Sequence, residues 1–266
     1  MANTYYSGQG SFYVGNRVAS TNLNPDDNVT LIQAPAGLTA LGNVSALSID
    51  IETTKFEHKE SETGNRAVDV SIIQEKKGTF TMTLENINGH NLALALWGST
   101  SLSVATPVTV EEVKSAWDLR VPLGLPNLAS VELVASDAVP TVTYVEGAAN
   151  DYTVDLVNGT ITALSTGTIT DGQTLFVGYT PVAGTEIIES FTVSSQERWM
   201  RFNGLNTIDD SNVVVDVFKA SFDPLTGYQL INEEIAAIEL TGNVLLDDTQ
   251  PSASGTKSQF FREYIF

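Results

Sequence analysis

Two histidines, three pairs of adjacent aspartates and no cysteine are what this sequence offers to metal or nucleophile chemistry. His58 lies in a charged stretch and His90 just ahead of a Leu/Ala-rich run. Neither has the spacing of a zinc site or an evident Ser or Asp partner, so both read as structural or surface residues. Asp26-Asp27, Asp209-Asp210 and Asp247-Asp248 could seed calcium binding or a carboxylate dyad. None is followed by the alternating oxygen ligands and distal Glu of a calcium loop, and Asp is enriched in turns because its side chain bonds nearby backbone; solvated turns are the reading. There is no G-x-S-x-G elbow, no H-E-x-x-H and no glycine-rich phosphate loop. The sequence gives no support for an enzyme, a metal site or a cofactor.

Composition narrows the partners. The 266 residues carry 13 basic and 32 acidic side chains, a net charge of -19, with 42% hydrophobic residues. That content is enough for a packed core. The acidic excess repels polyanions, so any contact with DNA is expected to be non-adhesive. Without cysteine there is no disulfide framework and no thiolate ligand. The start, MANTYYSGQGSFYVGNR, lacks a basic region followed by an apolar one, and no run of about 18 apolar residues occurs; the expectation is a chain soluble when made, with no membrane insertion.

The elements that position these residues are mostly strands. In 46–52, Leu47, Ile49 and Ile51 alternate with Ser48, Asp50 and Glu52; in 79–85, Phe80, Met82 and Leu84 alternate with Thr79, Thr81, Thr83 and Glu85. AVDVSIIQE (67–75) reads as a third strand and EKKG (75–78) as a tight turn, giving a meander interrupted by one long loop, 53–66. A polar connection of that length costs chain entropy, so it is either mobile or held against something outside its own domain. NGHNLALALWG (88–98) is the one short helix, packed by Leu92, Leu96 and Trp97; 223–234, with its Pro and Gly, reads as a turn or a single helical turn.

Composition shifts after residue 100. Residues 1–100 hold six basic and ten acidic residues, 101–185 two and nine, 186–266 five and thirteen. The middle segment is rich in Val, Thr, Pro and Gly, with Asn158-Gly159 and Asp171-Gly172 as turn signals. The expected organisation is 1–106 and 186–266 as two halves of one core, with 107–185 as an inserted β-rich module. EIIESFTV, ERWMRFNGLN, NVVVDVFKASF and EIAAIELTGNVLLD are the later strands, and the aromatic end, Phe260, Phe261, Tyr264 and Phe266, is expected to dock on its own core or on a copy.

GNVSALSIDIETTKFEHKESETGNRAVDVSIIQEKKGTFTMTLENINGHNLALALWG resembles the N-terminal half of the major tail tube proteins of long-tailed bacteriophages. The likeness lies in its strand, H-K-E-S loop, G-x-R, second strand, K-K turn, third strand and L-A-L-A-L-x-G helix. ERWMRFNGLN, VVVDVFKASFDPL and LINEEIAAIELTGNVL are similar to the closing half. The resemblance implies an all-β fold with one short helix, a tail-tube sandwich or barrel core carrying the inserted module. It also implies a virion structural protein of the tail, assembled in the host cytoplasm. Its copies would form six-fold rings stacked into a tube, with a tape measure protein and tail terminator and tip proteins as partners and DNA passing through unbound.

On that reading the long loop is an inter-subunit or inter-ring arm, with Lys55, Phe56, Glu57, His58, Lys59, Glu60, Glu62 and Arg66 as its contact residues. Asp50, Glu52, Asp69 and Glu85 are the candidate lumen acids, the alternative being an ordinary outer sheet face. A second function class stays open: a soluble β-sandwich binding module of carbohydrate-binding or adhesin type. For it the aromatics of the inserted segment, Trp117, Tyr144, Tyr152, Phe176 and Tyr179, would matter.

Overall fold

A computed structural model describes residues 5–21, 31–61, 64–138, 140–194, 197–233, 235–251 and 257–266. Asp26, Asp27 and Glu62 therefore lie outside the described residues. The fold is all-β with one short helix, as expected from the alternation. It comprises two compact units, Met1–Ser99 with Ile188–Phe266, and Thr100–Ile187. The boundaries fall a few residues outside 107–185, at strands β6 (Ser99–Leu102) and β13 (Glu186–Glu189), which pair with each other.

The first unit holds β1 (Gly8–Thr21), β2 (Leu31–Pro35), β3 (Thr39–Ala40), β4 (Val44–Lys59), β5 (Val68–Leu84), helix α1 (Gly89–Ala95), β14 (Glu197–Asn206), β15 (Asn212–Phe222), β16 (Ile238–Val244) and β17 (Phe261–Ile265). These strands form one antiparallel sheet in the order β2-β1-β14-β15-β16-β5-β4, with β17 also on β15 and β3 on β1. Its core gathers Phe12 and Val14 of β1, Phe80, Met82 and Leu84 of β5, Met200, Phe222 and Leu240, with Ala95 of the helix. The Phe80 and Phe222 rings meet edge to face at 5.0 Å, an arrangement that aromatic quadrupoles favour. Helix α1 starts where the Asn88 side chain accepts the Asn91 N–H at 2.9 Å. Trp97 is tied in by its indole N–H, which donates to the Phe222 carbonyl at 3.1 Å. Segment 223–234, read as a turn or a single helical turn, holds no helix or strand in its described residues. The aromatic end docks on its own unit, β17 pairing with Val213–Val217, although Ile265 and Phe266 stay exposed.

The meander is the main correction. A meander would place 67–75 between its first and third strands; instead these two pair directly, Leu47 with Met82 and Ile49 with Phe80. EKKG is no turn, however: β5 runs straight through it. Gly78 is there for contact, since a Cβ at this position would come within 2.9 Å of the Val244 Cβ. The 53–66 loop is mostly strand as well, 53–59 pairing with 68–76, so the connection proper is 60–67.

The second unit has two three-stranded antiparallel sheets. β7 (Val108–Lys114), β12 (Thr174–Pro181) and β9 (Leu128–Ala135) form one, and β10 (Tyr152–Asp155), β11 (Thr160–Ala163) and β8 (Arg120–Pro122) the other. Leu128, Val134, Ile161, Ile169, Leu175 and Val177 fill its core. The turn between β10 and β11 needs Gly159, which has φ +60 and lies so close to the Leu125 carbonyl that a Cβ would collide with it. Tyr179 donates to Glu111 Oε2 at 2.6 Å. Burial, that hydrogen bond and the Glu111 charge push its hydroxyl up to about 12.

Candidate functional site

β16 accompanies β5 only from Gly78 to Leu84. Beyond Gly78, β5 has β4 alone beside it, and the two leave the sheet as a two-stranded ribbon of about 30 Å from 77 to 68 at the usual rise per residue. Thr53, Thr54, Phe56, Val68, Val70, Ile72 and Ile73 supply the β-branched and aromatic content that keeps it extended. Register shifts at Thr54/Lys55 and His58/Lys59 break the ladder twice, and such bulges increase local twist.

Residues directly opposite in an antiparallel pair share a face. Phe56 faces Ile72 and His58 faces Val70, so one face of the ribbon is largely apolar; Lys55 and Glu57, opposite Ile73 and Ser71, make the other. Phe56 is 48% exposed and Ile72 56%. Exposed apolar groups of this kind, gathered on one projecting element, mark an interaction surface. His58 does have an Asp partner, which only the strand pairing brings near: its Nδ1 and Asp69 Oδ1 lie 2.7 Å apart across the strands. The hydrogen bond from His58, aided by the imidazole charge, holds the Asp69 carboxyl below its ordinary value. Lys55, Lys59, Arg66, Lys76 and Lys77 all lie on the ribbon or its tip, and among the described residues none is in an ion pair. Glu57 and Glu60 complete the mixed-charge arm.

The four acids singled out for a channel wall do not form one cluster. Asp50 and Glu52 share the outer face of the sheet with Ser48, Lys77 and the half-buried Thr79, Thr81 and Thr83. Glu239, opposite Thr83, joins them and was missed, because its strand was read without a partner. Asp69 sits far along the ribbon with His58. Glu85 lies past the other end of β5, half-buried and bonded to the Asn43 amide.

Of the chemistry-bearing residues, Asp209 behaves as a turn acid, accepting from Ser211 N–H, Ser211 hydroxyl and Asn206 amide. Asp247 does not. It is 1% exposed and lies 2.7 Å from Arg17, a buried pair rather than a solvated turn. His90 stands alone, its pKa lowered by desolvation and by the charge of Arg198. Among the described residues no group of three or more His, Asp or Glu comes together to hold a metal.

A second surface lies at the opposite end of β5, where Ile238 pairs with Leu84. Residues 224–229 and 236–239 of the connection from β15 frame a groove of about 670 Å³ lined by Ile87, Pro224, Leu225, Tyr228, Ala236 and Ile238, among others. Leu230, Ile231 and Ile235, which fall in the chain between the lining residues Gln229 and Ala236, are 79%, 94% and 84% exposed. The Leu-Ile-Asn-Glu-Glu-Ile order was the available signal, but it reads equally well as half of a helix face.

Fold and surface together define an all-β protein of two units with a projecting hairpin. The chain belongs to the family described as Protein of unknown function UCP028589, whose model matches residues 5–263. No curated protein matches it.

Proposed function

We propose that this is a virion structural protein, a tail tube subunit of the kind found in long-tailed bacteriophages, whose copies assemble into six-fold rings stacked as a tube. The observation that carries the reading is the hairpin. Among the described residues the ribbon is paired on neither outer edge, is apolar on one face and is covered by nothing in its own unit, and a second copy supplies both cover and pairing. Its near balance of Lys55, Lys59 and Arg66 against Glu57, Glu60 and Glu62 lets it approach another acidic copy without added repulsion. Exposed ion pairs contribute only about 0.2–1 kcal/mol each, but a ring repeats them.

The outer face of the sheet supports the conduit. Asp50, Glu52 and Glu239 outnumber the one cation of this face, Lys77 opposite Glu52, among threonine and serine hydroxyls, a wall that is net repulsive to phosphates and gives a base nothing to stack on. DNA would slide past it. The family likeness adds the tape measure, terminator and tip proteins as partners, and the virion tail as location. The binding-module alternative is less well served: Tyr152 and Tyr179 are buried in the core of their unit, Tyr144 packs against it, and the Trp117 indole N–H is bonded to the Ile169 carbonyl.

Sedimentation velocity across a concentration series tests the proposal. Growth from a small species to large discrete particles is expected; one monomeric boundary at every concentration would refute it.

A further inference from the structure

A two-stranded ribbon is marginal in water by itself, and the ladder between β4 and β5 is broken where the ribbon is farthest from the core. We infer that His58 and Asp69 form a proton-operated clamp, which holds the far part of the ribbon in register while the imidazole is charged and loosens it when the imidazole is neutral. The clamp acts within one copy, whether or not copies assemble.

The break is at the second register shift. His58 pairs with Val70 and Lys59 with Val68, so Asp69 is the extra residue of a bulge, with no partner opposite. Its side chain reaches across instead, and Asp69 Oδ1 lies 2.7 Å from His58 Nδ1. Beyond this point the strands are closed by the Lys59–Val68 pair and by the Glu60 N–H, which donates to the Ala67 carbonyl at 2.9 Å. Among the described residues β5 is the one strand beside this part of β4, and what it brings to His58 is the Asp69 carboxylate and the apolar Val70. Phe56 and Ile72 lie next along the same face, with Glu75 further toward the root. Glu57 and Lys59 belong to the other face, and among the described residues neither is in an ion pair.

The His58 hydrogen bond keeps the Asp69 carboxyl below its ordinary value, so the carboxylate stays charged and the imidazole decides the state of the pair. A charged ring donates Nδ1–H to the carboxylate and adds an opposite charge. A neutral ring keeps a plain hydrogen bond or, with its proton on Nε2, turns a lone pair toward the carboxylate. A depressed carboxyl gives up its contribution only as pH falls through its folded value, whereas the contribution of an imidazolium is lost as pH rises. Imidazoles ordinarily lose their proton near pH 6.5 and carboxylates gain theirs near pH 4, which places the closed state between about pH 4 and 6 and the open state above about pH 7. His58 and Asp69 side chains are 59% and 42% exposed, so solvent screens the pair and the change is modest.

Hydrogen–deuterium exchange on the full-length protein reads the clamp, in samples dilute enough to sediment as the smallest species and with protection taken relative to the unstructured rate at the same pH. Peptides covering 56–71 should be about two- to fivefold better protected at about pH 5.5 than at about pH 8, as an exposed pair can supply, while 79–85 shows no such step. His58→Gln and Asp69→Asn should each abolish the step, His90→Gln should keep it, and raised salt should shrink it. No step in wild type, or one that survives His58→Gln, would overturn the clamp and leave the assembly reading untouched. A failure to form large particles would count against assembly and leave the step in place.

Discussion

Arg17 bridges two carboxylates that lie far apart in the chain. Its guanidinium lies 2.7 Å from Glu197 and 2.7 Å from Asp247, and Lys219 lies 2.8 Å from the other Glu197 oxygen. Arg17 and Asp247 side chains are 8% and 1% exposed, so desolvation opposes their charges. For Asp247 burial pushes the pKa up. Hydrogen bonds from Thr249, Arg17 and Gln250 and the Arg17 charge outweigh burial and hold the carboxyl below its ordinary value. A carboxyl whose folded pKa is depressed stabilises the fold above its unfolded pKa and loses that contribution as pH falls through the folded value. Asp247→Ala is therefore expected to destabilise the first unit by roughly 3–5 kcal/mol near neutral pH in urea denaturation, as for other broken buried pairs. The gap to wild type should shrink below about pH 4, where the unfolded carboxyl protonates. A gap that stays constant with pH would mean that Asp247 acts through packing alone. This pair was not legible in the sequence, because nothing in residues 17 and 247 announces a contact across 230 positions of chain.

At the scale of elements, legibility tracked burial. Strands 46–52 and 79–85 were readable with their faces correctly assigned, because Leu47, Ile49, Phe80 and Met82 turn inward while Ser48, Asp50, Thr79 and Thr81 do not. Of the ribbon, 67–75 was read as a strand from its Val and Ile content, but 53–59 was not, because with both faces in solvent no buried face imposes a pattern, and Thr53, Lys55, Glu57 and Lys59 look like loop residues. Gly78 misled for a related reason: a glycine required by close packing against Val244 looks like a glycine required by a turn. The residues singled out in 55–66 that the structure describes all fall on this hairpin or its tip, whereas Asp50, Glu52, Asp69 and Glu85 are spread along β4 and β5, since alternation assigns a face but not how far along a strand a residue lies from its neighbours. Replacing 54–75 by a two-residue Asn-Gly turn tests the ribbon as a separable element. The sheet from Gly78 onward keeps its β16 partner and core contacts, so circular dichroism and the thermal transition should remain close to wild type while large particles disappear. Loss of the cooperative transition would show that the ribbon belongs to the folding core.

For the whole molecule, the account rests on one relation: each copy presents a surface that only another copy covers. The chain's net charge of -19 works against association at long range, so assembly should strengthen with ionic strength as like-charge repulsion is screened. The same charge suits a tube through which a polyanion moves. Negative-stain electron microscopy of the concentrated full-length protein at moderate salt measures this directly. Hollow six-fold rings, or tubes of uniform width built from them, are the expected image; a field of separate monomers at every concentration and salt would contradict the account.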